Sequence, residues 1–117
     1  MASFVPRFEF AEMLSLQSFR REIPQVLLIH ANQLNANTLD TLLTLLERRG
    51  YRFITLDQAL ADPAYQTRDE YVGPAGISWL RRWQPALGKK MDQVAEPAPP
   101  NWVLELYQKL HAPHVNP

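Results

Sequence analysis

Ile23-Pro24-Gln25-Val26-Leu27-Leu28-Ile29-His30-Ala31-Asn32-Gln33-Leu34-Asn35-Ala36 decides the reading of this chain. An unbroken Val/Leu/Ile run without alternation reads as a strand covered on both faces, the habit of parallel sheets in α/β proteins. Such sheets place polar chemistry at the carboxyl ends of their strands, and His30 stands at that point.

Downstream, Leu39, Leu42, Leu43, Leu45 and Leu46 recur at helical spacing between Thr38 and Arg49, with Asp40, Glu47, Arg48 and Arg49 interspersed. Asn37 or Thr38 serves as the expected N-cap, and Gly50 supplies the left-handed residue that closes the helix. Tyr51 to Leu56 is aromatic and β-branched enough for a second strand, returned parallel to the first by the crossover helix. Asp57 is then expected to cap a short helix that runs through Ala61 and stops at Asp62-Pro63. These elements make a βαβ unit.

Upstream, Phe8 to Phe19 is partly periodic and is expected to be helical, joined to the first strand by Arg20-Arg21-Glu22. Beyond the βαβ unit, residues 62–76 carry Pro63, Gly73, Pro74 and Gly76 and read as an ordered loop bearing Tyr65 and Tyr71. Ile77 to Trp83 reads as a helical segment that stacks Trp79 on Trp83. Gly88 to Pro100 is linker-like, Asn101 is expected to cap a last amphipathic helix from Trp102 to His111, and the tail after it is expected to fray. Three regions follow: a lead-in (1–22), a βαβ-containing segment (23–88), and a Pro-rich linker with its helix (89–117).

Lysine plus arginine and aspartate plus glutamate are equal at 12 each, so no net field recruits nucleic acid or an anionic membrane. The absence of cysteine excludes disulfides and thiolate metal sites and leaves the compartment open. No apolar stretch approaches the roughly 18 residues of a membrane helix, and Pro6, Arg7 and Glu9 interrupt the N-terminus where a signal core would lie.

Three ordered strings, LLIHANQLNA (27–36), ERRGYRFITLDQALADPAY (47–65) and GPAGISWLRRW (73–83), followed by a Pro-rich exit, resemble the C-terminal part of bacterial polysaccharide deacetylases of the NodB-homology type. The likeness runs from Glu22 to Trp102, roughly two thirds of the chain. It implies an α/β fold: C-terminal βα units of a distorted (β/α) barrel, incomplete on their own, with a C-terminal helix. It also implies metal-assisted hydrolysis of acyl groups from a carbohydrate polymer, with a divalent, zinc-like metal in a full-length member. Leu27 and His30 match the family's Leu-x-x-His, whose histidine is the general acid toward the leaving group. The family's Thr-Phe-Asp-Asp strand and His-x-x-x-His ligand pair do not occur, so the chain carries no metal ligand set of its own, and Arg81 stands where the related SWLHRW pattern has histidine.

Each of these residues also has a plainer reading. A histidine ending an apolar run can be a hydrogen-bonded structural residue as well as a catalyst. Asn32 and Asn35 suit turn and cap chemistry or sugar hydroxyls. Trp79 and Trp83 suit a core or a pyranose-stacking platform. His111 and His114 are two ligands only, too few for a zinc site. The resemblance implies a carbohydrate polymer as partner, with Asn32 and Trp79 touching it; either a second copy of the chain or a missing N-terminal portion is also expected, because two strands with one helix cannot cover their own faces and edges.

Overall fold

The computed structural model describes residues 4–74, 76–90 and 96–112. Among the described residues five α-helices follow one another: α1 (Val5–Phe19), α2 (Gln33–Arg48), α3 (Leu56–Leu60), α4 (Trp79–Arg82) and α5 (Asn101–His111), with a 3₁₀ turn at Pro63–Gln66. Among the described residues there is no strand, which corrects the expected α/β fold and its barrel units. Of the runs read as strands, residues 23–30 and 51–55 run without turn or bend and without a sheet partner among the described residues, and Leu56, read as the end of the second, begins α3. The reason lies in what a strand requires. A ladder exists only where two extended runs lie side by side and exchange backbone hydrogen bonds, and among the described residues these two runs exchange none.

The helices arise from local signals. Pro6 lies in the first turn of α1, where its missing N–H costs nothing, and Arg20 ends the helix in the left-handed region (φ 57°) with its N–H on the Leu16 carbonyl. In α2 the cap is Asn32, whose side chain accepts the Asn35 N–H at 2.8 Å, so the helix starts several residues before the expected Asn37 or Thr38. Gly50, at φ 90°, occupies the left-handed position foreseen for it. Short α3 survives because Thr55 and Gln58 form a reciprocal capping box; Asp57 lies inside its first turn and is not the cap. Asn101 likewise begins α5 as a helical residue, with Pro100 at the cap position and no side-chain cap bond.

The core is narrow. Leu14, Ile23, Ala64, Leu80 and Trp83 are buried together, with Phe10, Met13, Phe19, Tyr65 and Leu87 packed around them. It forms where α1 packs on α4. Phe19 and Tyr65 meet Trp83 edge-on, with ring centroids at 5.7 and 5.2 Å. Trp79 stacks on Trp83 at 6.0 Å, as the i, i+4 spacing foresaw. Fully buried Ser15 turns the chain out of α1: its hydroxyl donates to the Arg21 carbonyl and accepts the Ile23 N–H, both at 2.8 Å. Ser15→Ala leaves that buried N–H unpaired and is expected to cost about 1 to 3 kcal/mol of unfolding free energy in a urea titration.

Ion pairs close the remaining loops. Arg49 reaches both oxygens of Glu12 at 3.0 and 2.9 Å, and the Tyr51 hydroxyl donates to the same carboxylate at 2.5 Å, which ties the end of α2 to α1. Burial, reinforced by that carboxylate, pushes the Tyr51 phenol up from its ordinary value. Arg21 holds Asp62 through paired hydrogen bonds and Arg82 holds Asp69, and each guanidinium keeps its carboxyl below the ordinary 3.8. A depressed carboxyl contributes stability above its unfolded value and loses it as pH falls through the lower folded one. Stability carried by these pairs is therefore expected to be flat from neutral pH to about pH 5 and to fall below about pH 4. The double variant Asp62→Asn, Asp69→Asn is expected to flatten that acid limb in thermal melts taken across the range.

Very little of α5 is covered: none of its residues is buried, and Trp102, Leu106, Tyr107 and Leu110 are half or more exposed. The expected linker at 88–100 lies partly outside the described residues (91–95), and the expected fraying of the tail from Pro113 onward lies wholly outside them.

Candidate functional site

The turn from the apolar run into α2 is built by amides. Asn32 caps the helix, and Asn35 Nδ2 donates to the His30 carbonyl at 2.6 Å, so His30 is fixed through its backbone while its ring has no hydrogen-bond partner among the described residues. Gln33 Nε2 donates to Asn37 Oδ1 at 2.9 Å and extends the amide network along the first turn. An open hollow of about 550 Å³ lies over this turn, lined by Ile29, His30, Asn32, Gln33, Ala36 and Leu39 among others. Two of the residues singled out from sequence, His30 and Asn32, thus share one hollow.

Trp79 is not part of it. Its ring stacks on Trp83, and the Arg82 guanidinium lies over it at 5.4 Å, so the indole is engaged within the chain although it is 55% exposed. His111 stacks on Tyr107 at 4.0 Å and bonds the Tyr107 carbonyl through Nδ1 at 2.9 Å; His114 lies outside the described residues.

Chemically, the hollow offers one imidazole, amide groups already committed to the helix cap, and an apolar floor. Among the described residues no three His, Cys, Asp or Glu side chains come close enough to hold a metal ion. Catalytic zinc takes about three protein ligands and an open position. The donor set therefore does not fit the zinc-like metal implied by the deacetylase resemblance. No helix among the described residues is long and apolar enough to cross a membrane.

The strongest surface signal was only partly legible in the sequence. Directly before the hollow, Val26 and Leu27 are each 47% exposed, Leu28 85% and Ile29 38%. Among the described residues, the Pro24 and His30 carbonyls are the only backbone groups from residue 24 to 31 with a hydrogen-bond partner, and both partners are side chains. Apolar side chains and backbone polar groups are thus left uncovered together. No family model, no curated protein and no solved structure matches this chain.

Proposed function

We propose that this chain is an assembly module, complete only when its uncovered apolar run is taken up by another polypeptide. The observation that carries this reading is the run Val26–Ile29, whose side chains are exposed and whose backbone groups have no hydrogen-bond partner among the described residues. A compact monomer of 13.5 kDa exposes about 6,500 Å². This chain exposes 9252 Å², an excess of roughly 2,700 Å². Its Cα radius of gyration is 17.2 Å, against about 13 Å for a compact domain of this length. Within that surface, consecutive exposed apolar side chains such as Val26 to Ile29 mark an interaction surface. At submicromolar concentration the chain is expected to enhance anilinonaphthalene sulfonate fluorescence while keeping its helical circular dichroism; a folded chain that leaves the dye dark would contradict the reading.

His30, at the rim of the hollow with its ring unengaged, favours a second reading of what the assembly does. In it the assembled protein removes acyl groups from a carbohydrate polymer, as polysaccharide deacetylases do, and His30 protonates the leaving group. A single general acid is worth about 10² to 10⁴ in rate, far short of amide hydrolysis by itself. The isolated chain is therefore expected to release no acetate from chitin oligomers or acetylated xylan and to retain no stoichiometric zinc. One tightly held zinc per chain in elemental analysis would contradict that. In an active assembly, His30→Ala is expected to lower kcat by about 10² or more with thermal stability unchanged.

A further inference from the structure

We infer that the partner of the uncovered run is a second copy of this chain, added antiparallel along the backbone edge formed by Gln25, Leu27 and Ile29. This rests on the assembly reading and names its occupant. In a pleated strand, successive residues present their N–H and C=O to opposite edges. Once residues 24–30 pleat as a strand on pairing, 24, 26, 28 and 30 share one edge, and the chain itself occupies both ends of it. Pro24 has no N–H and its carbonyl accepts the Tyr65 hydroxyl at 2.7 Å, while the His30 carbonyl accepts Asn35 Nδ2 at 2.6 Å. The other edge is open. None of the backbone groups of Gln25, Leu27 and Ile29 has a partner among the described residues.

Self-pairing on that edge is complementary. A two-fold axis at Leu27 sets this residue against the partner's Leu27 and Gln25 against the partner's Ile29. All six N–H and all six C=O groups of the two edges are then paired. On one face Val26 lies opposite the partner's Leu28 and Leu28 opposite the partner's Val26, which joins the most exposed side chain of the run to three other apolar ones. No charged residue occurs from Ile23 to Leu39, so no like charges meet across the axis, and a net charge of zero leaves no long-range repulsion between copies. The edge also lacks the lysine or interior proline that ordinarily keeps a free edge from pairing. A standard interface buries about 800 Å² per partner, well within the surface excess of each chain.

Sedimentation equilibrium on the full chain tests this, with Leu28→Asp as the disrupting variant and Val72→Asp as the control. Leu28 and Val72 are 85% and 96% exposed in the single chain, so neither change disturbs its helices, which circular dichroism verifies. Wild type and the Val72 variant are expected to dimerise with Kd below about 10 µM, and Leu28→Asp to weaken that at least 100-fold. Equal association by wild type and Leu28→Asp would overturn the proposal. A wild-type monomer at about 100 µM that still lights the apolar dye would overturn the second copy and leave the assembly reading standing; a monomer that leaves the dye dark would overturn both.

Discussion

Trp83→Ala is expected to lower the thermal midpoint by about 12 to 20 °C, the equivalent of about 3 to 5 kcal/mol. Trp83 is 2% exposed and touches Phe19, Tyr65 and Trp79, so one truncation opens a cavity shared by α1, the 3₁₀ turn and α4. The loss is a large part of the roughly 5 to 15 kcal/mol that holds a small domain together. Trp79→Ala removes an indole that is 55% exposed, and about 1 kcal/mol is expected there. Differential scanning calorimetry of both variants checks the assignment. Equal losses would mean that the core is not centred on Trp83.

The thermal midpoint of the wild-type chain is expected to rise by about 3 °C for each tenfold increase in protein concentration. Mass action couples folding to association whenever the paired form is the folded one, and two chains melting together share the effect. Leu28→Asp should abolish the dependence by leaving each chain to melt alone. A wild-type midpoint that is constant from about 2 to 200 µM would show that the uncovered run contributes nothing to stability through pairing.

The helices were legible where periodicity or a paired signal marks them. Phe8 to Phe19 falls inside α1, the Trp79–Trp83 stack follows from i, i+4 spacing, and Gly50 closes α2 as a left-handed residue. The start of α2 was not legible, because Gln33 to Thr38 is mostly polar and gives no apolar period; only the Asn32 cap marks it. Most instructive is Val26-Leu27-Leu28-Ile29. An unbroken apolar run states that these side chains need cover, and it carries no information on whether the cover lies in the same chain. A strand of an internal parallel sheet needs neighbours on both sides, and the described residues provide none. The ion pairs were invisible for a different reason: Glu12 and Arg49, or Arg21 and Asp62, lie 37 and 41 residues apart and are joined only by the way α1 meets the loops around α2 and α3. For the candidate site, the sequence located His30 and Asn32 at one turn, but the cap bond that commits the Asn32 oxygen and the contacts that engage Trp79 depend on the folded geometry.

Residue-resolved amide hydrogen exchange, measured by NMR on dilute and concentrated samples, tests the central claim most directly. Pairing along the open edge protects the N–H groups of Gln25, Leu27 and Ile29 as concentration rises and leaves those of Val26 and Leu28 exchanging freely, a period-two pattern that nonspecific clustering cannot produce. Uniform exchange across residues 25–29 at every concentration would contradict it.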